Sequence, residues 1–253
     1  MKLSYLLKKT VIPKLILIGV FLLLNNCSQS SINSEILIQK SIAAHGGFDL
    51  LKTIKSIQYS KSTSLYTKSG ELEKTVDQYI THQWNPDQTS IAWKNKESAF
   101  FAEKKSSKVS LFKNGEMVKD SLELIQAVTN LDTALYVFWQ PFKLTDPSAK
   151  KVYLGKQTIL DSIEALTLKV SYTDDPEADL WFYYFHPKNY KIRAVKVIHS
   201  RRTSLILNDS YETQTGLSLN KTRRSFFLDT LGHIDYLRAA YRYGIESIEL
   251  IQK

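Results

Sequence analysis

From Ile57 onward the chain alternates apolar and polar residues in short runs rich in Thr, Tyr, Val and Ile. That period-two pattern is the mark of half-buried β-strands. The runs at 56–69 and 71–84 predict two strands joined at Ser69-Gly70, and further strands follow at 89–96, 98–104 and 108–120. Within the last, Asn114-Gly115 is a two-residue hairpin signal, because both positions of the favoured turn need a positive φ. The rhythm then breaks. Leu122, Ile125, Val128, Leu131, Leu135 and Phe138 recur at three- and four-residue steps and predict a helix near 121–139, ended by Pro141. The second half returns to strands, with hairpins turning at Asp161-Ser162 and Pro187-Lys188-Asn189 and further runs at 204–214, 217–229 and 233–250.

Ahead of the strands, Ser34 is the predicted N-cap of a helix with Leu37, Ile38 and Ile42 on its apolar side. Gly46-Gly47 closes it, and Leu50, Leu51 and Ile54 pack in a shorter turn that follows. No β-α-β alternation and no repeat is visible. The pattern predicts an α+β fold, mainly antiparallel: one large curved meander sheet of about ten strands, an open half-barrel with helices covering one face. Such a concave face leaves room for a ligand.

The first 26 residues are different. Lys2, Lys8, Lys9 and Lys14 give a basic opening without acids, and Leu15 to Leu24 is an unbroken apolar run of ten residues. As a helix it would span about 15 Å, half of a bilayer core. This is the layout of a secretory signal peptide. The single cysteine of the chain, Cys27, stands directly after it and has no internal disulfide partner.

The LLNN-Cys27 arrangement resembles the lipobox of bacterial lipoproteins, with Asn26 where that family prefers a small residue. The resemblance implies a diacylated Cys27 as the first residue of the processed chain. The expected organisation is therefore a signal peptide over 1–26, a lipidated cysteine and polar tether over 27–33, and one β-rich domain over 34–253. The tether, SQSSINS, has no acidic run, which by the same resemblance favours the outer membrane and a periplasm-facing domain. The segments 152–170 and 179–192, with a Leu-Gly pair, a hairpin and a Trp-bearing strand before a His-Pro turn, resemble the strand pair of the LolA/LolB type of lipoprotein carriers and receptors. The opening AAHGGFDLLKTIKSI at 43–57 looks like that of uncharacterised lipoproteins of the Bacteroidota. Together these imply a half-open barrel with helical lid segments and an apolar interior that accepts acyl chains.

Composition narrows the function. Net charge is +9 over 253 residues, but four of the positive charges sit in the leader, so the remainder carries about +5. That mild excess suits an anionic membrane surface or acidic ligand, and no nucleic-acid motif accompanies it. The basic pairs Arg201-Arg202 and Arg223-Arg224 read as solvated strand or turn residues. No nucleophile elbow, zinc helix or phosphate loop occurs. The Ser-x-x-Lys matches at Ser110, Ser148 and Ser218 are what a chain rich in Ser and Lys gives by chance. The five histidines are never paired at i, i+4, and the acidic run Asp174, Asp175, Glu177 and Asp179 reads as a turn, not a calcium loop. No cofactor or metal is called for.

Aromatics are the remaining signal. Trp181, Phe182, Tyr183, Tyr184 and Phe185 are consecutive, and alternation puts Trp181, Tyr183 and Phe185 on one face of a strand. They are candidates to line a ligand cavity as well as ordinary sheet packing. The sequence thus favours a membrane-anchored, non-catalytic envelope protein that binds a lipid-like ligand. An envelope hydrolase with a site assembled only in the fold, and a scaffold for a protein partner, are the alternatives.

Overall fold

The structure is a computed structural model, described for residues 32–95, 97–160, 162–173, 178–199 and 202–252. Cys27, its flanks and residues 174–177 lie outside them. Residues Asn33–Lys253 form one compact unit.

Helix α1 (Ser34–Ala44) is capped by Asn33, whose side chain accepts the Ile36 amide at 2.9 Å. The cap is therefore one residue before the expected Ser34, which occupies the first helical position; either residue type can accept this bond. Gly46 then takes φ +99° and starts α2 (Gly47–Leu51). A Cβ at Gly46 would stand 2.6 Å from the Gly216 carbonyl oxygen.

Thirteen antiparallel strands follow: β1 (Ile54–Tyr66), β2 (Leu72–Trp84), β3 (Asp87–Asn95), β4 (Ser98–Lys105), β5 (Lys108–Lys113), β6 (Glu116–Met117), β7 (Lys150–Ile159), β8 (Ile163–Ser171), β9 (Leu180–Phe185), β10 (Ile192–His199), β11 (Arg202–Tyr211), β12 (Asn220–Leu228) and β13 (Ile234–Leu250). Asn114 and Gly115 turn β5 into β6 with φ of 51° and 86°, as the hairpin signal requires. Helix α3 (Ser121–Phe138), capped by the Asp120 side chain, and a 3-10 turn (Phe142–Thr145) separate the two sets of strands.

The sheet order is β6-β5-β4-β3-β2-β1-β13-β12-β11-β10-β9-β8-β7. The sheet is curved and open, with helices on one face, as the alternation predicts. It differs from a single ten-strand meander. Two meanders, β1–β6 and β7–β13, are joined by pairing of the first and last strands, with Tyr59 opposite Ile245 and Thr63 opposite Tyr241. Long-range pairing of this kind leaves no mark on local periodicity. Its consequence is that β6 and β7 are opposite edges, and the chain between them runs through α3 and the 3-10 turn.

Candidate functional site

Alternation and register assign one face of the sheet to Ile57 and Tyr59 on β1, Ile80 on β2, Ile91 on β3, Ala102 on β4, Leu168 on β8, Tyr183 on β9 and Val195 on β10. All are buried. This is the helix-covered face. Phe138 of α3 stacks on Tyr59 with ring centroids 3.8 Å apart and lies 5.7 Å from Tyr243. Leu131, Ala127 and Ala134 fill the same seam. The helix narrows its apolar contact to these positions. Leu122 and Ile125, expected in the apolar stripe, are 75% and 62% exposed, because the buried stripe runs through Ala127, Leu131, Ala134 and Phe138 and, at about 100° per residue, those two side chains fall on the opposite face of α3.

Trp181, Tyr183 and Phe185 form a row along β9, with centroids 6.4 Å and 6.5 Å apart. Tyr183 and Phe185 are fully buried, and Trp181 is half-buried. Tyr136 of α3 closes over the row, edge-on to Trp181 at 5.5 Å. Its hydroxyl accepts from Tyr172 and shares a 2.7 Å hydrogen bond with Tyr183, to which Gln140 Nε2 also donates. Burial raises the pKa of Tyr136, Tyr172 and Tyr183, so this network holds neutral phenols. The three rings thus share one face as alternation predicts; Trp181 and Tyr183 meet Tyr136 of α3, and Trp181 is the one of the three that is half-buried.

That part lies further along the strands. Ser204, Ser225 and Ala239 are its floor, small side chains on β11, β12 and β13. Leu65, Val76, Ile206 and Tyr241 around them are only half-buried, in contrast with the sealed level of Tyr59 and Tyr183. A polar group also sits here that sequence reading assigned to solvent. Arg223 is 3% exposed, whereas Arg224 points outward and grips Asp209 with two hydrogen bonds of 2.8 Å and 2.9 Å. The correction follows from strand alternation: adjacent residues must face opposite ways. Arg202 of the other pair is exposed, as expected.

Among the described residues, the hydrogen bonds of the two buried histidines run to backbone groups and to one threonine. His45 Nδ1 meets the Ser218 carbonyl at 3.0 Å, and its Nε2 accepts the Ile192 amide at 3.4 Å. His82 Nδ1 is 2.8 Å from Thr89 Oγ1. Burial lowers both pKa values to about 4. Asp179 of the acidic run pairs with His199 at 2.6 Å. Among the described residues no cluster of three His, Cys, Asp or Glu could hold a metal ion, and no helix is long and apolar enough to cross a membrane.

The structure is similar to that of a LolA superfamily protein from Nitrosomonas europaea, with a TM-score of 0.53, 8% identity, and coverage of 88% of this chain and 96% of that one. A DUF1329 family protein from Desulfovibrio piger aligns over 83% of this chain and 91% of its own, with a TM-score of 0.49 and 7% identity. The lipoprotein LppX of Mycobacterium tuberculosis aligns over 85% and 95%, with a TM-score of 0.34 and 8% identity. These likenesses describe the fold alone. No curated protein matches the sequence. The model of a family of unknown function (DUF6503) matches residues 14–203.

Proposed function

From the premise that the chain belongs to the DUF6503 family, we propose that it is an envelope lipoprotein that shelters an apolar or amphiphilic ligand against the concave face of its sheet, without bond chemistry. Residues 1–26 are the export signal, Cys27 carries the lipid, 28–33 tether the domain, and the outer membrane facing the periplasm is its place. The likeness to a LolA superfamily fold supports the envelope setting. The short apolar run before the lone Cys27 supports the anchor.

One observation carries the binding reading. The concave face is an aromatic and aliphatic surface under α3, and past the level of Tyr59 and Tyr183 it turns to the small side chains Ser204, Ser225 and Ala239, ringed by the half-buried Leu65, Val76, Ile206 and Tyr241; we read that stretch as a trough. Small side chains there leave volume that larger ones would fill. Trp181 marks the boundary between the helix-covered level and the trough, with Tyr183 and Phe185 as the wall behind it. A ligand lying in the trough gains burial of its chain at about 25 cal/mol per Å².

Native mass spectrometry of the chain from Ser28, which keeps every described element, is the direct test. A phospholipid or fatty acid retained at fixed stoichiometry supports the reading. A protein that arrives empty and takes up no added lipid removes it.

A further inference from the structure

Two cations of the concave face, Arg223 and Lys61, have no carboxylate partner among the described residues. Arg223, on β12, is buried. Its Nε donates to Asn208 Oδ1 at 2.8 Å, and Tyr243 is a neighbour of its guanidinium. Both are neutral. Lys61, on β1, faces the same way, opposite Tyr243 in register, with its ammonium 5.6 Å from the centre of the Tyr241 ring. Among the described residues neither cation takes part in an ion pair; the carboxylates nearest in sequence to Arg223 face away, as with Asp209 on Arg224. Burial lowers the Lys61 pKa to about 8, and the neighbouring charge of Arg223 adds to the effect.

Burying a charge without a counter-charge costs several kcal/mol. Two cations close enough to disfavour each other raise that cost. Such an unmatched pair marks a candidate binding site, and an anion would offset its cost. A second observation points the same way. The Tyr59 hydroxyl, fully buried, has no hydrogen-bond partner among the described residues. The level of Arg223 and Lys61 therefore has guanidinium, ammonium and phenol donors to spare. It adjoins the apolar trough, since Arg223 is two residues along β12 from Ser225 on the same face.

We propose that Arg223 and Lys61 form a head-group subsite, and that the ligand of the trough is an acyl chain ending in a carboxylate or phosphate anion. This rests on the binding reading above and adds the sign of the head. The anion would lie between the two cations, with Tyr59, Tyr241 and Tyr243 around it and the chain running over Ser225 and Ala239.

The test uses three twelve-carbon probes on the chain from Ser28: dodecanoate, dodecyl phosphate and dodecanol, titrated at pH 7 and read by Trp fluorescence and calorimetry. Both anions, or the one whose geometry fits, are expected to bind at least about tenfold tighter than dodecanol, the return of one charge-assisted hydrogen bond. Which anion is tighter separates a fatty acid from a phosphate head. K61Q and R223Q are expected to erase that preference, bringing the anions to the affinity of dodecanol. K61Q alone suffices if R223Q does not fold. Dodecanol binding as tight as either anion overturns the head-group subsite and leaves the trough standing. Failure of all three probes overturns the trough reading and the subsite with it. Preference for anions that survives both substitutions places the subsite elsewhere and overturns the assignment.

Discussion

Arg223 and Arg224 are neighbours in the chain and opposites in the fold: the first is buried under the concave face against Asn208, the second lies outside on Asp209. The contrast gives a first prediction. Arg224→Ala removes an exposed ion pair and is expected to cost less than about 1 kcal/mol in urea unfolding, with the difference shrinking as salt is added. A loss of 2 kcal/mol or more would mean the pair is integral to the sheet.

Phe138 is the main apolar tie between α3 and the sheet. Its ring is fully buried against Tyr59, Tyr243 and Trp139. Phe138→Ala is expected to destabilise by about 3–5 kcal/mol. Leu122→Ala and Ile125→Ala, on the exposed face of the same helix, are expected to stay within about 0.5 kcal/mol. Equal effects on both faces would contradict the packing described.

Tyr136→Phe removes the centre of the Tyr172–Tyr136–Tyr183 network. Tyr183 keeps Gln140, so the expected loss is about 1–2 kcal/mol. Trp181 emission, 5.5 Å from the altered ring, should report the change; an unaltered spectrum with unaltered stability would show the network is not formed in solution.

Gly46 takes a positive φ and its α-carbon faces the Gly216 carbonyl. Gly46→Ala adds strain and a clash at once and is expected to lower stability by more than about 2 kcal/mol. Gly47→Ala, also at positive φ but with open space around its Cβ, should cost less. Reversal of that order in thermal melts would place the loop differently.

His45 and His82 have folded pKa values near 4, below the ordinary 6.5, because burial disfavours the charged ring. The unfolded chain therefore binds more protons between pH 6.5 and 4. Stability is full above about pH 6.5 and falls as the pH drops through that window, by about 3 kcal/mol for each histidine at its end. Urea midpoints at pH 7 and pH 4.5 should differ accordingly. Matching midpoints would mean both rings are solvated.

Much of the architecture was legible in the sequence because its causes are local. Alternation set the strands, Asn114-Gly115 set a turn, and the three- and four-residue spacing ending at Phe138 set α3. The row Trp181, Tyr183 and Phe185 was legible for the same reason. The lone Cys27 after a short apolar run defines the proposed anchor without any coordinates. What only the tertiary structure decided are relations between residues far apart. The β1–β13 pairing makes β6 and β7 opposite edges and turns α3 from one helix among strands into the cover of the concave face. The same pairing brings Lys61 to Tyr241 and Tyr243, and β12 then adds Arg223 from more than 150 residues away. A basic residue in an alternating strand has the same local pattern whether its face meets water or a protein interior. The face is chosen by what packs across it, and that is settled only when the sheet is assembled.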